Sequence, residues 1–128
     1  MKTLFVNGTL MRGFQLHKNL DGAEYLGTFH TQPCYRIFSI NDIHPGMYKV
    51  TEGGVSVEGE MYRMSDDIWA KVEAGEPPHL YCGPIELTDG RVVEGILYPK
   101  EQIKSEYVEI SKYGGWRGYM AAKNNTPP

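Results

Sequence analysis

No run of this chain approaches the ~20 consecutive apolar residues that a membrane-spanning helix requires. Met1-Lys2-Thr3 leads straight into a short strand, without the apolar stretch and small-residue cleavage site of a signal peptide. The expectation is a cytoplasmic protein with no membrane partner. Basic charge is not in excess: 13 Lys and Arg stand against 16 Asp and Glu, a formal charge of −3. Without a basic stripe to release counterions from phosphates, nucleic acid is not an expected partner. Cysteine is scarce, and Cys34 and Cys82 are too far apart for a CxxC motif, so reduced, partly buried thiols are expected. His17, His30, His44 and His79 show no HxH, HxxxH or HExxH spacing, and no metal site is expected. Gly8-x-x-x-x-Gly13 is followed by Phe14-Gln15 rather than Lys-Ser/Thr, which removes a P-loop. No Gly-x-Ser-x-Gly elbow supports a serine nucleophile.

What remains is a chain of 128 residues, enough for one domain with a real core, with 41% hydrophobic residues and 15 glycines. Residues 1–123 read as a single domain and 124–128 as a frayed tail. Thr3–Asn7 is an apolar strand that stops at Asn-Gly-Thr, and Gly13–Leu20 is a short helix or helical turn. Tyr25–Gln32 and Tyr35–Ile40 are strands split by Pro33, Asn41–Gly46 is a loop, and Met47–Val50 is a short strand. Val55–Met64 alternates with a period of two, which places Glu58 and Glu60 on one face, either solvated or hydrogen-bonded at a rim. Ser65 caps a helix over Asp66–Ala74, Gly75 closes it, and Pro77-Pro78 forbids continuation. Leu80–Leu87 and Val92–Tyr98 pair across Thr88-Asp89-Gly90. Residues 100–106 form a helical turn, and Tyr113–Tyr119 is an aromatic, glycine-rich tail. Some seven strands with one well-capped helix predict an α+β fold: a small, mixed, mostly antiparallel β-barrel with short helices at its rim.

Two places in this layout carry chemistry. The Asn7–Gly13 loop, with Gly8 free to approach a ligand, can aim several backbone N–H groups at a carboxylate or oxyanion. Arg12 has the planar fork for a substrate carboxylate, and His17 follows the loop closely enough to line the same pocket. Glu76, between a helix-ending glycine and two prolines, sits on a stiff segment. Half-buried, its pKa would rise into the general acid/base range; fully solvated, it would be an ordinary loop carboxylate. His79 lies three residues beyond it.

Gly8-Thr9-Leu10-x-Arg12-Gly13 resembles the Tyr-Gly-Thr-Leu loop of the γ-glutamylcyclotransferase-like superfamily. The similarity continues through Leu16-His17-x-x-Leu20, Thr31-x-Pro33-x-Tyr35-Arg36, Pro45-Gly46-Met47-Tyr48, Gly59-Glu60-Met61-Tyr62 and Gly83-x-Ile85-Glu86-Leu87-x-Asp89-Gly90. It covers about residues 3–98 and is nearest to the C-terminal domain of allophanate hydrolase and its free-standing relatives. The resemblance implies a transferase- or lyase-type enzyme that cleaves a γ-glutamyl-amine-like amide by intramolecular cyclisation, without a cofactor. It makes Glu76 the acid/base, with Glu73 as the alternative. The substrate-binding set is Asn7, Gly8, Thr9, Leu10, Arg12 and His17, for a small molecule with a carboxylate or amide. Two departures stand out: Asn7 replaces the usual Tyr, and Leu10 stands where the allophanate hydrolase domain has a histidine tied to decarboxylation. Handling of a urea-derived acid, and a non-catalytic small-molecule-binding or partner domain, are the other readings. The substrate and the oligomeric state do not follow from the sequence.

Overall fold

A computed structural model describes residues 1–124. Its eight strands form two sheets: β1 (Lys2–Val6), β2 (Glu24–His30), β3 (Tyr35–Ile40), β4 (His44–Lys49), β5 (Glu58–Met64), β6 (Tyr81–Glu86), β7 (Val92–Leu97) and β8 (Val108–Glu109). The first sheet has the order β2-β5-β1-β7-β6 and the second β4-β3-β8. β1 runs antiparallel to β5, with Leu4 opposite Tyr62, and parallel to β7, with Phe5 opposite Gly95. Helices α1 (Asp66–Ala74) and α2 (Trp116–Asn124) pack outside the sheets.

The expected barrel is realised as two curled sheets stitched at their margins. The edges of the larger sheet meet at one end, where Gln32 N–H donates to Glu86 O (2.8 Å) and Thr88 N–H to His30 O (2.9 Å). A bridge between Tyr35 and Val55, and a bond from Tyr98 N–H to Met47 O (2.8 Å), tie the smaller sheet to the larger. Inside lie Leu4, Phe5, Ile37, Met47, Met61 and Ile85, each excluded from solvent. Burying a side chain of that size contributes roughly 1.5–3 kcal/mol.

Several boundaries differ from the sequence reading for identifiable reasons. The loop expected over Asn41–Gly46 ends early, because His44–Lys49 pairs antiparallel with β3 across its length. Pro45 is tolerated there because β4 lies at a sheet edge. The segment read as an aromatic tail holds the start of α2, whose Trp116 is 2% exposed and packs into the core. Asn124, assigned to a frayed tail, is the last residue of α2, and 125–128 lie outside the described residues. α1 matches its expected span: Ser65 Oγ accepts from Ile68 N–H at 3.3 Å, and Asp66 and Asp67 favour the helix dipole. Gly75 closes the helix at φ −93°, so the left-handed cap that glycine permits is not used.

Candidate functional site

β1 ends at Val6, and the next residue is locked in place. Asn7 is buried, and its Nδ2 donates to Ile96 O at 3.1 Å and faces Met47 Sδ at 3.6 Å. The chain then turns sharply, with Met11 N–H on Gly8 O (3.0 Å) and Leu16 N–H on Thr9 O (2.9 Å). Within this turn the N–H groups of Gly8, Thr9 and Leu10 donate to no acceptor among the described residues. Gly8 is required by space: a Cβ there would stand 2.6 Å from Cδ of Pro45.

Glu76 arrives from the other side. α1 ends with Gly75 N–H on Lys71 O and Val72 O, and Pro77-Pro78 sends the chain off toward β6. Glu76 thereby reaches the cavity lined by Asn7, Gly8, Thr9, Leu10 and His44. Its Oε1 is buried without a hydrogen-bond partner, and burial pushes its carboxyl up to about 7. The free space beside it is about 20 Å³, room for one water-sized group. Glu76, Leu80 and Ile96 also border an adjoining groove of about 420 Å³, walled by Trp69, Tyr81 and Glu73. Glu73 borders this groove and not the small cavity.

Of the residues singled out in the sequence, Asn7, Gly8, Thr9, Leu10 and Glu76 come together around one space. Arg12 and His17 do not line it. Arg12 lies over the Tyr25 ring at 4.1 Å, and its Nε donates to Glu60 Oε2 at 3.2 Å. His17 Nδ1–H donates to Leu10 O at 3.0 Å, so it braces the loop from behind. His79, at φ +74°, sets its ring edge-on to Tyr98.

The histidine at the cavity is His44, whereas the sequence reading favours His17 and His79 for that place. Its Nδ1–H donates to Pro45 O at 2.9 Å, and burial lowers its pKa, leaving a neutral ring with an Nε2 lone pair. The signal lay in its neighbours: an apolar stretch, Pro45-Gly46-Met47-Tyr48, places it on a buried strand rather than a loop.

Glu60 is likewise not on a solvated face. It is wholly buried and receives Arg12 N–H (2.9 Å), Tyr62 O–H (2.8 Å), Arg12 Nε (3.2 Å) and Arg117 Nη1 (3.1 Å). Burial alone would raise its pKa, but these donors outweigh burial and hold the carboxylate below its ordinary range. Both cysteines are free, and burial raises their thiols. Among the described residues no helix is long and apolar enough to cross a membrane.

The profile of the allophanate hydrolase C-terminal domain matches residues 2–121. The chain is 29% identical over 125 residues to the urea amidolyase of Saccharomyces cerevisiae, covering 91% of this chain and 7% of that protein. It is 34% identical over 70 residues to a Vibrio cholerae protein carrying the provisional name gamma-glutamylcyclotransferase, covering 55% and 57% of the two chains. The chain thus spans only a part of these relatives. The crystal structure of a protein specific to uropathogenic E. coli superposes with a TM-score of 0.87 at 38% identity, over 94% of this chain and 95% of that one.

Proposed function

The chain belongs to the allophanate hydrolase C-terminal domain family, and on that premise we propose that it is a small-molecule enzyme using Glu76 as general acid/base. The reaction is intramolecular aminolysis of a γ-glutamyl-amine-like amide. The substrate's own α-amine nitrogen bonds to the side-chain carbonyl carbon, and the bond from that carbon to the departing amine breaks. A five-membered lactam, 5-oxoproline, and a free amine result. Glu76 takes the proton lost by the attacking nitrogen and delivers it to the departing one, so no cofactor enters the balance.

One observation carries this reading: an unpartnered carboxyl oxygen and unclaimed backbone N–H groups border the same cavity. A carboxyl raised to about 7 is divided between acid and base near neutrality, which suits both proton transfers. Amides of Gly8–Leu10 would receive the carbonyl oxygen as it gains charge; one such donor is typically worth about 3–4 kcal/mol of barrier. Holding attacker and carbonyl together gains effective molarities up to about 10⁵–10⁸ M. The small cavity accommodates the oxyanion end, and the 420 Å³ groove is of ligand size for the amine end.

Family membership favours a second reading, chemistry on a urea-derived acid. Leu10 lacks the imidazole that the resemblance ties to decarboxylation, but neutral His44 offers one in the same cavity. Mass spectrometry of purified wild type and Glu76→Gln on γ-glutamyl amines and on allophanate separates the readings. Release of 5-oxoproline by wild type alone supports the first, and release of carbon dioxide the second. Equal release of 5-oxoproline by both proteins removes Glu76 from its role. Binding without turnover makes the fold a binding domain.

A further inference from the structure

One helix outside the cavity holds two of the segments that border it or lead into it. No side chain of α2 borders the space, yet α2 is anchored on either side of it. At its N-terminal end Arg117 Nη2 donates to the backbone O of Arg12 at 2.6 Å, while Nη1 reaches Glu58 Oε1 (3.2 Å) and Glu60 Oε2 (3.1 Å). Glu60 in turn accepts the N–H of Arg12 at 2.9 Å. The backbone of Arg12 is therefore gripped at both its N–H and its C=O, two residues after Leu10.

Two residues further along α2, Tyr119 O–H donates to Asp42 Oδ1 at 2.7 Å, and one turn beyond it Lys123 Nζ pairs with Asp42 Oδ2. Ser39 Oγ adds a bond to Asp42 Oδ1 at 2.6 Å. Lys123, Ser39 and Tyr119 together hold the Asp42 carboxyl down to about 2. Asn41 and Asp42 have φ of +55° and +58°, a left-handed region that Asn and Asp tolerate better than most L residues and that the contacts on Asp42 help to hold. Two residues later come His44 and Pro45, the wall opposite Gly8. Trp116, fixed in the core, seats the helix that makes both contacts.

We propose that α2 is the clamp that sets the spacing of the cavity walls, with Arg117 positioning Gly8–Arg12 and the Tyr119–Lys123 pair positioning Asp42–Pro45. Its catalytic consequence rests on the reading of that cavity as an active site; the clamp itself does not. None of the three residues is a catalytic residue, since none reaches the cavity. They act through the backbone they hold.

Residue-resolved amide hydrogen exchange on the full chain tests the clamp. Arg117→Lys keeps a positive charge near Glu60 but loses the fork that spans Arg12 O. Tyr119→Phe combined with Lys123→Met removes the second anchor from a partly exposed site. Arg117→Lys should speed exchange at Met11, Arg12 and Leu16 at least tenfold, and the double variant should do so at Asp42 and Ile43. Amides of β1 and β5 should keep their rates. Unchanged loop rates, or rates rising equally in β1 and β5, overturn the proposal, because the residues would then be inert or merely structural. Turnover of a γ-glutamyl amide supplies the second readout: kcat should fall at least fivefold in both variants, whereas Lys123→Arg with Tyr119 intact, which keeps both anchors on Asp42, should retain wild-type kcat. Were wild type itself to release no 5-oxoproline, the functional reading fails while the exchange result still judges the clamp.

Discussion

The carboxylate of Glu60 lies 3.1 Å from Arg117 Nη1, although the two residues are 57 positions apart and Glu60 is closed to solvent. A buried charge is tolerable only where partners replace its water, and Glu60 has four donors from Arg12, Tyr62 and Arg117. Three segments, the first loop, β5 and α2, thus converge on a single carboxylate. The convergence lies outside the cavity and ties the loop that borders it, through Arg12, to β5 and α2.

Arg117→Met should destabilise the chain, because it removes one partner of a buried charge. Loss of a sole partner typically costs about 3–5 kcal/mol; with Arg12 and Tyr62 still in place, about 2 kcal/mol is expected. The pH dependence has a definite sign. Glu60 is held below its ordinary value of 4.5 in the folded state, so its contribution is present above that value and fades as pH falls through the folded pKa. Urea unfolding over a pH series from 7 downward should show the gap between wild type and variant widest near neutrality and narrowing as the pH falls below 4.5.

Gly8→Ala tests the closeness of the loop to β4. The added Cβ would stand 2.6 Å from Cδ and 2.7 Å from Cγ of Pro45, whose ring cannot swing aside. The loop or β4 must shift, at a cost of about 1–3 kcal/mol. Turnover should fall further than stability alone explains, since the displaced amides are those assigned to the oxyanion. Thermal unfolding and kcat measured on the same preparation check both parts.

How much of this was legible beforehand varies with the kind of force involved. α1 was readable because its signals are local: a Ser65 cap, acidic residues in the first turn, and a Gly-Glu-Pro-Pro exit. The β6–β7 hairpin was readable for the same reason, its Asp89-Gly90 turn. Glu76 and the Gly8–Leu10 amides could be paired only through a family likeness, because nothing near either segment names the other. For Glu60 the sequence leaves a solvated and a hydrogen-bonded face open, because period-two alternation tells the two faces of a strand apart without saying what covers each; the structure takes the hydrogen-bonded one. α2 was missed because Gly114, Gly115 and Gly118 mask a helical spacing of Trp116, Tyr119 and Met120. Its stability comes from tertiary contact rather than propensity.

Gly118→Ala sets that propensity against packing. Alanine is the better helix former by about 1 kcal/mol. However, its Cβ would stand 2.1 Å from the carbonyl oxygen of Tyr113, a backbone atom that precedes the helix. Overpacking of that kind costs about 1–3 kcal/mol, so the variant should be less stable despite its helical preference. A rise in melting temperature would show that α2 has room to spare and does not sit tightly on the preceding turn.

Glu76→Gln should separate catalysis from stability, and in opposite directions. In the unfolded chain Glu76 titrates near 4.5, and in the fold burial pushes it up to about 7. Between those values the folded state holds more protons than the unfolded one, so stability falls as pH rises and levels off above 7. The full loss is on the order of 3 kcal/mol. Glutamine is neutral throughout and removes that slope. At pH 8 the variant should therefore be the more stable protein by about that amount, and at pH 4.5 the two should be nearly equal. Its turnover should drop by about 10²–10⁴, the usual worth of a positioned acid/base. Urea unfolding at the two pH values with paired activity assays reads both effects. An equal change in stability at both values would mean that the Glu76 carboxyl is solvated in the fold, and the acid/base assignment would lose its physical ground.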